Sequence, residues 1–268
     1  MLKDITLGQY FPGNSVVHRL DPRAKLLLLI VYIVALFVAV SWISYAVMLI
    51  CLCTVIAISK IPPKAILRGM KPLVMILIFT AVLNIFFSQG ETVLVSFWKL
   101  TITLEGLLRA VQMMVRILML VSGTFLLTYT TSPIALTDAL ESLLGPLKAI
   151  HVPVHELSMM MCIALRFIPT LIEETDKIMS AQRSRGADFE NGSLMERVKA
   201  LIPILVPLFI SAFRRADELA TAMECRCYHG GEGRTALHVL RYQAADFVVL
   251  AAFVALAAGL IVLKHMGI

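Results

Sequence analysis

From Leu26 to Ser59 the chain carries no charged residue. As one helix these 34 residues would measure about 51 Å, against a bilayer hydrocarbon core of about 30 Å. The polar, aromatic break Ser41-Trp42-Ile43-Ser44 divides the run into two spans, near 26–41 and 43–59, with Trp42 and Tyr45 at an interface. Pro72 to Gln89 predicts a third span, 107–130 a fourth and 247–263 a fifth.

Between the last two spans the pattern changes. In 155–186 the residues Met160, Ala164, Phe167, Leu171 and Ile178 recur at helical intervals, and in 195–228 Leu201, Leu205, Leu208, Ala212, Leu219 and Met223 do the same. Arg166 and the cluster Glu173, Glu174 and Asp176 leave the first segment no window of span length. The uncharged part of the second, Ala200–Phe213, is short and interrupted by Pro203 and Pro207. Each therefore predicts an amphipathic helix of about 30 residues packed on protein rather than lipid. A shorter helix precedes them, with Ser132-Pro133 as cap and first position and Gly145-Pro146 as the stop. At an offset of 41 residues the two long helices match weakly: Asp176 with Asp217, Ala181 with Ala222, Arg185 with Arg226.

Charge orients these elements. Arg19, Arg23 and Lys25 precede the first span and Lys60, Lys64, Arg68 and Lys71 follow the second, while the Ser41–Ser44 turn has no charge. The positive-inside rule then places the N-terminus and the whole of 131–242 in the cytoplasm. The net charge of +6 is thereby accounted for without nucleic acid. Of the 268 residues, 59% are hydrophobic and 16% charged, where a soluble domain has about a quarter charged. Arg109 can pair with Glu105 one turn away, and Arg116 lies deeper in the fourth span, where an intramolecular or carbonyl contact is the simpler expectation than an ion relay.

Catalytic signatures are missing. "GGEGRTA" at 230–236 lacks the lysine of a phosphate-binding loop and reads as a flexible turn. Cys225-x-Cys227 is not a zinc spacing, His151 and His155 are separated by Pro153, and the five cysteines outline no disulfide framework. No metal site, cofactor or enzymatic nucleophile is expected. The ends of the two long helices hold the remaining candidate chemistry. A cation in the last turn and a glycine just beyond it, as at Arg185-Gly186, are ordinary helix-end features. A planar, permanently charged fork at the tip of a rod also suits a carboxylate on a partner.

These stretches together resemble the transmembrane T component of energy-coupling factor (ECF) transporters, a class of ABC-type importers. The resemblance rests on "HRLDPRAKL", "TTSPIALTDALESLLGPLK", "PVHELSMMMCIALRFIPTLIEETDKIMSAQRSRGADF", "RVKALIPILVPLFISAFRRADELATAME" and "YHGGEGRT". It implies an all-α integral membrane protein of about five transmembrane helices, with a cytoplasmic coupling domain of two long amphipathic helices and a shorter one. The domains are then 1–130 with the tail and four spans, 131–242 for coupling, and 243–268 with the final span. The resemblance further implies a non-catalytic subunit of the cell membrane that couples two ATPase subunits to a small S component, which binds a vitamin or metal ion. The ATPases would dock on Ala-Arg-Gly-like motifs, here Ser184-Arg185-Gly186 and Cys225-Arg226-Cys227, the second without its glycine. The S component would rest on apolar faces that include Met160, Ala164, Phe167 and Leu171 of the first helix and Leu205, Leu208 and Ala212 of the second. The competing expectation is a self-contained secondary transporter or channel, which needs paired intramembrane charges or broken helices in matching halves.

Overall fold

The computed structural model describes residues 10–87, 92–97, 100–187, 189, 193–231 and 239–265. In chain order they form α1 (Val16–Arg19), α2 (Pro22–Val38), α3 (Trp42–Ser59), α4 (Pro63–Met70), α5 (Val74–Phe87), β1 (Val93–Phe97), β2 (Leu100–Thr103), α6 (Leu104–Thr130), α7 (Pro133–Leu144), α8 (Val154–Ser184), α9 (Leu194–Cys225) and α10 (Ala244–His265). The protein is an all-α integral membrane protein to which one antiparallel hairpin, β1–β2, is added. The sequence pattern does not predict that hairpin. Most of the turn 230–236, from 232 on, lies outside the described residues.

Five helical stretches among the described residues are long and apolar enough to cross a membrane: α3, the run Pro63–Phe86, α6, α8 and α10. Two differences from the sequence expectation have simple causes. The first apolar segment begins at Pro22 and stops at Val38, because Asp21 caps α2 and the chain straightens so that the Ser41 hydroxyl can cap α3. At 17 residues, about 26 Å, α2 is marginally short. Conversely, α8 does contain an 18-residue apolar window with no more than two charges, which corrects the expectation that Arg166 and the acidic cluster exclude one. The cluster sits far enough toward the C-terminus to leave that window intact. α9 runs unbroken through Pro203 and Pro207.

The described residues fall into two compact units, one up to Ala139 together with the chain from Leu240, the other Leu140–Val239. In the first unit a core forms where α2, α3, α6 and α10 meet, with Tyr32, Leu36, Met48, Met119 and Leu260 buried. The Tyr32 hydroxyl donates to the Met119 carbonyl at 3.1 Å. Its ring fits because residue 123 is glycine: a Cβ there would lie 2.7 Å from the ring. Close approach through small residues is how helices pack where water supplies no driving force.

One end of this bundle is closed by buried charge. Asp246, 2% exposed, accepts from the Gln243 N–H at 2.7 Å as the third residue of α10, the reach-back half of a capping box. Its other oxygen accepts from the Asp21 N–H at 2.9 Å, joining the first long helix to the last. Asp21 caps α2 through the Arg23 N–H and is bound by the Arg23 guanidinium at 3.0 Å. Burial pushes the Asp21 carboxyl up, but Arg23 and Lys25 more than offset this and hold it below the usual range. The buried Lys25 ammonium donates to the carbonyls of His18 and Thr130 and to the Thr131 hydroxyl, so all three of its protons are used.

At the other end, Arg116 donates to the Ala39 carbonyl at 3.1 Å and to the Tyr45 hydroxyl, with its guanidinium beside the rings of Phe37 and Tyr45. It therefore caps the C-terminus of α2, the carbonyl contact anticipated for it. Tyr45 is consequently buried at 4% exposure, while Trp42 is exposed. Among the described residues Glu105 makes no salt bridge with Arg109, whose charge still acts on it from further away. Its carboxylate instead accepts from the hydroxyl and N–H of Thr92, tying the start of β1 to α6.

Replacing Asp246 with alanine strands the buried amide of Asp21 and removes the cap on the Gln243 amide, and should destabilise the protein by roughly 3 kcal/mol, with Asp246→Asn costing less. Thermal unfolding in detergent checks the order. Gly123→Ala should cost about 1–3 kcal/mol by overpacking against Tyr32, and an unchanged Tm would show that the ring can move aside.

Candidate functional site

In the unit Leu140–Val239 the two long helices α8 and α9 pack side by side. The Gln182 amide reaches the Pro203 carbonyl at 3.5 Å, and Arg215 bonds Glu174 at 3.1 Å while lying over the Phe167 ring. Rising numbers on one helix thus meet falling numbers on the other, so the pair is antiparallel. Glu174 and Arg215 are separated by the same 41 positions as the weak internal match. Equivalent points of the two helices therefore meet at the crossing, and each arginine end lies eleven residues, about 16 Å, beyond it.

The two ends share one backbone geometry. At the first, Arg185 follows the last helical residue, the Gly186 N–H donates to the Arg183 carbonyl, and the Ala187 N–H donates to that of Gln182, both at 3.0 Å. Gly186 has φ +88. At the second, Arg226 holds the corresponding place. The Cys227 N–H donates to the Glu224 carbonyl at 2.8 Å and the Tyr228 N–H to that of Met223 at 3.1 Å. This is the double-bonded Schellman cap twice over. Cys227 adopts the left-handed conformation, φ +56, that Gly186 adopts in the first copy. Loss of the glycine leaves the turn unchanged and adds a cost of roughly 1–2 kcal/mol for a side chain in that region.

Ser184, Arg185, Gly186, Cys225, Arg226 and Cys227 are all exposed. Among the described residues no hydrogen bond or ion pair engages either guanidinium. The two cationic forks are therefore held at a defined place by the backbone and left free at their ends.

The apolar stripes divide differently from the sequence expectation. On α8, Met160 and Ala164 are exposed while Phe167 and Leu171 are half-buried; on α9, Leu205 is exposed while Leu208 and Ala212 are half-buried. A second α9 stripe is more open: Val198, Ile202, Phe209 and Phe213, the last 72% exposed. These residues recur at gaps of four, seven and four, so a second pass over the same window would have found them. At the start of α8, His155 does not join His151 in a metal face. Its Nδ1 lies 2.8 Å from Glu141, and His151 ends the preceding turn in a left-handed conformation. Burial raises the Glu141 carboxyl, but bonds from His155 and Ser158 hold it below its ordinary value.

The family model described as cobalt transport protein, CbiQ, matches residues 13–237. Similar proteins carry the name energy-coupling factor transporter transmembrane protein EcfT. That of Acidaminococcus fermentans is 55% identical over 262 residues, covering 96% of this chain and 97% of the relative. That of Ruminiclostridium cellulolyticum is 53% identical over 249 residues, 93% of each. The Lactococcus lactis subsp. cremoris protein is 43% identical over 253 residues, covering 94% of this chain and 95% of the relative. The chain belongs to this ECF transporter family. It is thus a multi-pass transmembrane component of an ECF transporter.

The shared cap predicts how the ends respond to mutation. Cys227→Gly should relieve the left-handed strain and slow hydrogen exchange of the Cys227 and Tyr228 amides about fivefold, a gain of about 1 kcal/mol. Gly186→Ala should speed exchange at Ala187 by a similar factor. Equal rates in wild type and variants would mean that neither turn persists in solution.

Proposed function

We propose that the chain is the non-catalytic coupling subunit of an ECF-type importer of the cell membrane, with its N-terminus in the cytoplasm. Residues 131–242 form the coupling domain, and 1–130 and 243–268 carry the membrane anchor. Two ATPase subunits dock on Ser184-Arg185-Gly186 and Cys225-Arg226-Cys227 and supply the energy by hydrolysing ATP. A small membrane-embedded S component, which binds the vitamin or metal ion, rests on the apolar faces of α8 and α9. Besides Met160, Ala164, Phe167, Leu171, Leu205, Leu208 and Ala212, that face takes in Val198, Ile202, Phe209 and Phe213, whose exposure gives it area.

The observation that carries the reading is the matched pair of helix ends. Two exposed, unengaged arginines in one backbone geometry, at equal distances from the crossing, are what a pair of like subunits would require. Cap electrostatics explain either arginine alone, but not the identity of the two ends when one lacks glycine. The cations around α4, namely Lys60, Lys64, Arg68 and Lys71, support the cytoplasmic orientation.

Arg185→Ala and Arg226→Ala, each co-expressed with the ATPases and an S component, should weaken ATPase co-purification about thirtyfold or more and abolish uptake. Lysine at either position should restore little, since it lacks the bidentate fork. Retention of ATPases and transport by both alanine variants would reduce the arginines to helix caps.

A further inference from the structure

The bundle of the first unit contains a feature that coupling does not use. A partly open cavity of about 180 Å³ lies between α1, α2, α3, α6 and α10. Val17, Leu28, Val55, Leu127 and Phe253 line it, and Lys25 is its one charged wall residue. An apolar cavity near this size stays dry and takes an apolar guest. For a hole in a membrane bundle, the apolar species at hand is a lipid chain.

Charge at the same end narrows the guest further. Lys25 cannot serve it, because its ammonium is saturated by His18, Thr130 and Thr131. Asp21 and Asp246 are likewise committed, to Arg23 and to backbone amides. Two cations remain. Arg19 adjoins the lining residue Leu20, and Lys60 lies two positions beyond the lining residue Ile58. Both are exposed, and neither side chain has a hydrogen bond or ion pair among the described residues. An apolar slot whose lining segments are flanked in the chain by two uncommitted cations complements a molecule that has an apolar tail and an anionic head.

We propose that this cavity binds one acyl chain of an anionic phospholipid, whose phosphate is held by Arg19 and Lys60. The site is independent of the coupling ends. The bound chain fills the gap between α2, α3 and α10 and makes the lipid a structural part of the bundle.

The full chain, reconstituted with equal parts phosphatidylglycerol and phosphatidylcholine of matched acyl chains, is released into detergent and its retained lipid read by native mass spectrometry. Wild type should keep one phosphatidylglycerol with a preference of roughly thirtyfold, as two interfacial cations imply. Arg19→Gln with Lys60→Gln should retain a lipid but lose the preference, and Leu127→Trp, which fills the cavity, should retain none. A second measurement avoids cavity filling. In a variant whose other four cysteines are serine, Cys51 lines the cavity, and phosphatidylglycerol should slow its labelling by an N-alkyl maleimide several-fold. Equal retention of the two lipids by wild type overturns the proposal. So does a preference that survives the double variant, retention unaffected by Leu127→Trp, or a Cys51 rate indifferent to the lipid.

Discussion

Asp246 accepts two backbone N–H groups, its own helix cap and the amide of Asp21, 225 positions away. A buried carboxylate is costly unless its oxygens are filled, and here both are filled by groups that have no other partner. The contact therefore fixes the start of α10 against the start of α2. It also sets the depth at which Lys25, one turn further on, meets the carbonyl end of α6. Three helices from the beginning, middle and end of the sequence are registered by this one cluster, and the Tyr32–Gly123 packing and the cavity beside it follow from that register.

Much of this was legible because lipid is an undemanding solvent to read. Backbone polar groups must be satisfied within each helix there, so spans appear as long uncharged runs, and α3, α6 and α10 lie close to where those runs place them. The errors occur where tertiary contacts overrule local pattern. α2 starts early because Asp21 is held as its cap by a residue from the other end of the chain, a pairing no local window contains. Tyr45 is buried where its aromatic, polar surroundings in sequence suggest a surface position, because Arg116 binds its hydroxyl. The hairpin β1–β2 is too short to carry a periodic signal, and Glu105 shows its use by turning to Thr92 rather than to Arg109. Counting the charges of α8 as a whole obscured an apolar window that stops short of its acidic cluster.

The candidate ends were easier to read than the candidate faces. Arg185-Gly186 announces a helix end in any protein, and the 41-residue offset points to its twin without any knowledge of fold. The sequence argument could not decide whether Cys227 would accept the glycine's conformation. Two backbone bonds to Glu224 and Met223 outweigh the steric cost, which is small beside two unmade bonds at a helix terminus. The faces are harder because α9 is apolar over more than half its circumference along Val198–Phe213, so a stripe chosen by period alone can face its neighbour helix instead of the surroundings.

The crossing of α8 and α9 has a mechanical consequence. Glu174 and Arg215 join the rods at corresponding points, and the two arginine tips lie at equal lengths on opposite sides of that joint. The rods also touch at Gln182 and Pro203, on the Arg185 side of that joint, so the pair is braced along its length rather than at one point. A bracing of this kind ties the positions of the two tips to each other through the antiparallel pair, so neither tip is set by its own helix alone.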